Sequence, residues 1–350
     1  MSNTRQHQAW FLLLLFSAGL LLGACTGRGP ATVKHDASME LVWPLAPAEP
    51  RIKYIGDLSH PEDLGITKGL LGMLSAVAMG REDHSMVLPM AVVENGLQQI
   101  FVADPGVKAI HRFDRKKGRY KSIKREGGED FVSPVGLAVD KEGKVYITDS
   151  KLAKVFVIGV GEDEASPLAL EEDFIRPTGI AVDGKTGWMY VVDTGLHTIS
   201  VFRSDNTLLR KFGRRGAGEG EFNFPTYIWQ NRKGQLLVTD SLNFRIQRFD
   251  RHGRFIGQFG HPGNAMGDLS RPKGVAEDRY GHVYVVDSLF HNVQLFDESG
   301  SLLMNFGVQG GGAGEFWLPV GIFIGADDTI YLCDSYNQRV QLFQYIGVEQ

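Results

Sequence analysis

Cysteine is scarce: two residues in a chain of 350, so no disulfide framework holds the fold. A surplus of positive charge is also missing. Lys and Arg number 37 against 41 Asp and Glu, for a net charge of −4, so there is no global basic field and no nucleic-acid partner is expected. The one long apolar run, Ala9 to Leu22, is shorter than the roughly 20 residues of a membrane-spanning helix. Familiar catalytic signatures are absent too. The sequence shows no HExxH or HxxxH spacing, no Ser-His-Asp grouping and no nucleophile elbow. Low hydrophobicity is not among the shortages: 43% of residues are hydrophobic and 22% charged, which excludes simple disorder. Glycine is in excess, at 43 residues against a usual share near ~7%.

The first segment reads as an address. Arg5 is the sole charged residue before Cys25, and the run from Ala9 to Leu22 suits the apolar region of a signal peptide. The run ends in Leu22-Gly23-Ala24-Cys25, followed by polar Thr26 to Pro30. That tetrapeptide resembles a bacterial lipobox. The resemblance implies cleavage of a leader at 1–24, lipid on Cys25, and attachment to a membrane through that lipid. Thr26, rather than Asp, after the Cys implies an outer-membrane lipoprotein on the periplasmic side of the envelope. Residues 25–50 carry Pro30, Pro44, Pro47 and Pro50 without apolar periodicity and are expected to act as a tether. Residues 51–350 are expected to form the folded domain. Loss of the leader with Arg5 takes the net charge of the chain from −4 to −5.

One unit then repeats. Two or three β-formers precede an Asp, turn residues follow, and β-formers ending in Phe or Ile come next. The marker Asp residues are Asp104, Asp149, Asp193, Asp240, Asp287 and Asp334, at intervals of 44 to 47 residues. An aliphatic residue stands six places after each (Ile110, Val155, Ile199, Ile246, Val293, Val340). The unit from Pro272 resolves into four strands: Gly274 to Glu277, His282 to Val286, Asn292 to Phe296 and Ser301 to Phe306. Four antiparallel strands per unit of ~40–50 residues is the arithmetic of a propeller blade. The Gly excess falls in turns and between units, as in Gly213 to Gly220 and Gly307 to Gly314. The GxGxxG spacings there are followed by strands, not by the helix a dinucleotide site requires, and no cofactor is expected.

The strings Arg176-Pro-Thr-Gly-Ile-Ala-Val-Asp183, Gly218-Glu-Gly-Glu-Phe222 and Asp240-Ser-Leu-Asn-Phe-Arg-Ile-Gln-Arg-Phe-Asp250 resemble the NHL repeat, as does Asp334 to Phe343. The resemblance spans roughly residues 89–345 and is specific in units 2 to 6. Unit 1 departs from it, with Met90-Ala-Val-Val at its start, and the fourth strand of unit 2 is poorly marked within Gly161 to Leu170. It implies an all-β, six-bladed β-propeller of four-stranded blades that serves as a binding platform and occasionally as an enzyme.

Blade 6 runs out of chain in its third strand, near Phe343 to Ile346. Arg51-Ile-Lys-Tyr-Ile-Gly56 has the look of a fourth strand and is expected to close the ring, which removes an open sheet edge. Between it and blade 1, apolar residues at 66, 70, 71, 74, 77 and 78 follow helical spacing and predict a short helix over 66–78.

Family members that are amidating lyases hold zinc with His residues from several blades. Their blade-start slot here carries Met90, Val135, Thr178, Thr226, Lys273 and Val320, none a good zinc ligand. His197 and His291 occupy the turn four residues after Asp193 and Asp287 and are the weak metal candidates. The six marker Asp residues recur once per blade, which makes them architectural: each carboxylate is expected to cap the amides of the following turn. Arg245 and Arg339, five residues after Asp240 and Asp334, are expected as their partners. Cys333 replaces Val or Thr of sister blades and reads as a buried apolar residue.

What distinguishes the blades lies at their starts. Tyr227 replaces the Gly of sister blades beside Thr226, and Arg176, Arg271 and Lys273 flank the starts of blades 3 and 5. Strand starts in a propeller line one channel mouth, so these five residues are the ligand-binding candidates. The expected function is a non-catalytic platform for an envelope protein, peptide or glycan; the alternative is a metal-dependent lyase or hydrolase acting in the channel.

Overall fold

A computed structural model of the chain describes residues 40–66 and 85–347. Cys25, the leader, most of the tether and positions 67–78 of the expected helix lie outside the described residues. Just before that point a single 3-10 turn, Pro61–Leu64, ends at Gly65 with a positive φ of 70°. Among the described residues no helix is long and apolar enough to cross a membrane.

The strands form six antiparallel blades, each with its first strand at the centre. Those first strands are Ala91–Asn95, Pro134–Val139, Pro177–Val182, Pro225–Gln230, Pro272–Glu277 and Ile322–Ile324. Second and third strands such as Val283–Asp287 and Asn292–Phe296 are almost wholly buried, because a neighbouring blade covers each face. Hence their run of β-branched and aromatic residues without alternation. Blade 2 does have a fourth strand, Glu164–Pro167, short and irregular in sequence. It pairs antiparallel with Lys154–Ile158 and also parallel with Arg119–Arg125 of blade 1, joining the two blades into one eight-stranded sheet.

Ile52–Leu58 pairs antiparallel with Arg339–Tyr345 and supplies the outer strand of blade 6, so the N-terminal strand closes the ring. The sheet then gains a fifth strand that the tether reading had not anticipated. Val42–Trp43 pairs with Ile52 and Lys53. Trp43 sets its ring 5.8 Å from both Phe306 and Phe343, so the apolar triplet Leu41-Val42-Trp43, within the proline-bearing stretch, docks on the propeller.

The marker Asp residues do more than cap a turn, and they do it in two ways. In blades 1, 2, 3 and 5 the carboxylate accepts backbone amides from both the following turn and the lead-in to its own blade. Asp193, for example, takes Gly195 and Leu196 on one side and Ile175 and Arg176 on the other, at 2.7–3.1 Å. In blades 4 and 6 the turn coils into a 3-10 segment, and the carboxylate keeps one lead-in amide, of Asn223 or Trp317, and gathers side chains in place of the turn amides. Asp240 takes Asn243, Arg245 and Gln247 at 2.8, 2.8 and 3.1 Å, and Asp334 takes Asn337, Arg339 and Gln341 at 2.8, 2.9 and 3.0 Å. Arg245 and Arg339 are thus the expected partners. At the other end of the second strand, Tyr146 and Tyr284 donate to Asp140 and Asp278 of the turn below, each at 3.1 Å.

Hydroxyls that follow the marker Asp stitch four of the seams. Thr194, Ser241, Ser288 and Ser335 each donate to the carbonyl of the next blade's proline: Pro225, Pro272, Pro319 and Pro89. Pro105 follows Asp104 and cannot do this, and Ser150 turns to Ser133 instead. The seam between blades 1 and 2 is held by the parallel strand pair together with side-chain bonds from Asn95 to Gly143 and from Arg112 and Lys121 to Asp163.

Candidate functional site at the channel mouth

Within the first strands, Pro134, Pro177, Pro225 and Pro272 pair with Asp149, Asp193, Asp240 and Asp287. The lead-in segments and the turns after each Asp therefore share one face of the propeller. On that face opens a cavity of about 480 Å³ running down the axis. Arg176, Thr226, Tyr227 and Lys273 line it; Arg271 is exposed beside the mouth and is not part of the wall.

The channel is graded. At the level of the mouth stand Ser133, Ser150, Thr178 and Thr226 with the two wall cations. One step down, every blade contributes the residue three after its proline: Val92, Leu137, Ile180, Ile228, Val275 and Ile322. Their common register holds them level, since each faces the residue two before the marker Asp of its own blade. Sequence reasoning passed over this ring, though its signal was present as an aliphatic residue at one fixed repeat offset. Trp229 lies lower on the wall, against Phe323 at 5.8 Å, with its indole N–H buried and without a partner among the described residues.

Tyr227 has a structural task. Its hydroxyl donates to the carbonyl of Met90 at 2.7 Å, bridging blade 4 to blade 1. Burial pushes this phenol well above its ordinary pKa. Four sister blades keep Gly at the same position, at 136, 179, 274 and 321, because their strands crowd together there. A Cβ on Gly179 would come within 2.7 Å of the Thr226 carbonyl, and one on Gly321 within 2.4 Å of that of Met90. Thr226 shares a hydrogen bond of 2.8 Å with Ser241.

The cations are left over. Among the described residues, the side chains of Arg176, Arg271 and Lys273 have neither a carboxylate nor a hydrogen-bond acceptor. Burial, then Arg271 and Arg176 nearby, hold the Lys273 ammonium down to about 8. Around the mouth stand exposed apolar residues from several blades: Val132, Ile175, Leu242, Leu289, Trp317 and Tyr336. Trp317 and Tyr336 pack ring to ring at 6.4 Å.

The histidines serve the frame. His197 and His291 each accept, on Nδ1, the backbone N–H of the next blade's lead-in, from Phe224 and Leu318 at 3.1 Å. Among the described residues no three His, Cys, Asp or Glu side chains gather into a possible metal cage. Asp104 is buried, which raises its carboxyl, but His111 and the amides of Val87 and Leu88 outweigh this and hold it low. Cys333 is buried, and that burial pushes its thiol up.

Comparison with known proteins agrees with this architecture. Residues 269–347, the last two blades, match a family described as a 6-bladed beta-propeller. A stretch of 143 residues, 37% of the chain, is 30% identical to peptidyl-glycine alpha-amidating monooxygenase A of Xenopus laevis. The match spans 15% of that protein's length. Among solved structures, an auxiliary nutrient binding protein from Bacteroides thetaiotaomicron VPI-5482 superposes with a TM-score of 0.60 at 10% identity, over 75% of this chain and 70% of that one. Virginiamycin B lyase from Staphylococcus aureus does so at 0.55 and 14%, over 74% and 96%. Six blades around one axis, closed by an N-terminal strand, make this chain a six-bladed β-propeller.

Proposed function

We propose that the chain is a non-catalytic binding platform of the bacterial cell envelope, held at the membrane by a lipid on Cys25. Its channel mouth takes an anionic or carboxylate-bearing ligand, such as a peptide terminus or an envelope glycan. The observation that carries this is the trio Arg176, Arg271 and Lys273, which share one mouth without a counter-charge. Like charges so placed repel one another, and an anion relieves that repulsion while accepting charge-assisted hydrogen bonds. The fold shared with a nutrient binding protein supports a binding role. The enzyme reading draws on the likeness to the amidating monooxygenase, but His197 and His291 each spend a ring nitrogen on the frame.

The test is Arg176→Ala combined with Arg271→Ala, assayed against immobilised peptides ending in a free carboxylate or in an amide. The double variant is expected to lose at least about tenfold in affinity for the free-acid peptide, a change of ~1.4 kcal/mol, at an unchanged melting temperature. Equal capture of acid and amide by the wild type, or early unfolding of the variant, overturns the assignment. The anchor is tested separately. Cys25→Ser is expected to abolish incorporation of labelled fatty acid and to release the protein from the membrane fraction or leave it as precursor. Absence of label on the wild type refutes the anchor.

A further inference from the structure

Resting on that reading of the mouth, we propose that the channel is a receptor for an amphipathic carboxylate. The charged head sits between Arg176 and Lys273, and a hydrocarbon body enters the aliphatic ring below.

Two features of the cavity select such a molecule. Its charged groups stand at the rim, where the cations have no acceptor of their own, while lower down Trp229 and Gln230 bring polar atoms to a wall that is otherwise largely aliphatic. A free acetate-sized anion would satisfy them there and leave most of the 480 Å³ unused. Beneath the rim the wall turns aliphatic in every blade at once. Val92, Leu137, Ile180, Ile228, Val275 and Ile322 are each 2–8% exposed, the small remainder that the cavity leaves them. Water in such a space finds few partners, so apolar matter displaces it readily. A purely apolar guest would have to pass the cationic rim without compensating it. A molecule with one anionic end and an apolar body satisfies both zones.

The tool is a series of straight-chain carboxylates from acetate to octanoate, with octanol as the uncharged control, titrated calorimetrically into the intact folded protein. Affinity is expected to rise by roughly three- to fourfold per methylene along the series, since each buried CH₂ contributes ~0.8 kcal/mol. Octanoate is expected to bind at least about tenfold more tightly than octanol. Lys273→Met removes the charge with a residue that blade 1 tolerates in the same slot, at Met90. It is expected to close the gap between octanoate and octanol. Ile180→Thr with Val275→Thr is expected to flatten the dependence on chain length while preserving the preference for a charged head. If acetate binds as tightly as octanoate, the amphipathic proposal falls and the carboxylate reading stands. If octanol matches octanoate, or if no member of the series binds, both fall.

Discussion

A chain lacking residues 41–58 is expected to melt at least about 10 °C below the intact protein, or to fail to stay soluble. The deletion removes two of the five strands in the blade 6 sheet and leaves Arg339–Tyr345 as an open edge. Ile52 and Leu58 are fully buried in that sheet, and Trp43 and Tyr54 pack on Phe343. Losing a single buried aliphatic or aromatic side chain costs ~2–5 kcal/mol, while a whole domain is stable by only ~5–15 kcal/mol. The deletion also strips Arg339 of Asp57, its partner at 2.8 Å. A peptide of residues 41–58 added back is expected to recover part of the loss, because the docking surface is preformed. A melting temperature within about 2 °C of the intact chain would refute closure by this strand.

Asp334→Ala is expected to destabilise the protein by about 3–5 kcal/mol, and Asp287→Ala by about 1–3, although the two occupy one repeat position. The difference lies in what each carboxylate leaves behind. Without Asp287, the orphans are backbone amides of a surface turn and of Ser270 and Arg271, which water can reach. Without Asp334, the orphans are the Trp317 amide, the side-chain amides of Asn337 and Gln341 and, most costly, a guanidinium. Arg339 is 8% exposed, and its remaining partners are two carbonyls, of Gly312 and Glu315, and Asp57 at the rim. A buried cation stripped of its main counter-charge is among the costliest defects a point substitution can create. Urea unfolding of the two variants gives the comparison, and equal losses would show that the side-chain cluster in blades 4 and 6 adds nothing to the amide cluster elsewhere.

The architecture was legible because a propeller writes its plan six times. The interval between marker Asp residues, and the aliphatic residue six places on, gave blade number and strand order from the sequence. The truncated sixth unit pointed to the strand at Ile52. Three things were hidden for physical reasons. Val42–Trp43 is too short to show a period, and its partner is the distant Phe343. The fourth strand of blade 2 is held from outside, by the parallel edge of blade 1, so its own sequence carries little β signal. Tyr227 announced itself by occupying a Gly position, but its acceptor is the backbone carbonyl of Met90, more than a hundred residues earlier, and main-chain atoms leave no trace in a sequence. The candidate cations were visible as departures from the repeat. That Arg176 and Lys273 are on the wall and Arg271 outside it depends on which way three long side chains leave their strands.

The way the ring is closed also sets how the protein carries load. A pull on the chain ahead of Leu41 meets the structure at its outermost strand, where Val42–Trp43 forms only a two-residue ladder. The Trp43 ring, held between Phe306 and Phe343, is the next resistance, and the longer ladder from Ile52 to Leu58 comes after it. Force is thus taken up in stages at the rim of blade 6 before it reaches the first strands. The first strand of blade 6, Ile322–Ile324, lies behind four strands of its own sheet, and the N-terminal strands are a clasp set in layers at that sheet's outer edge.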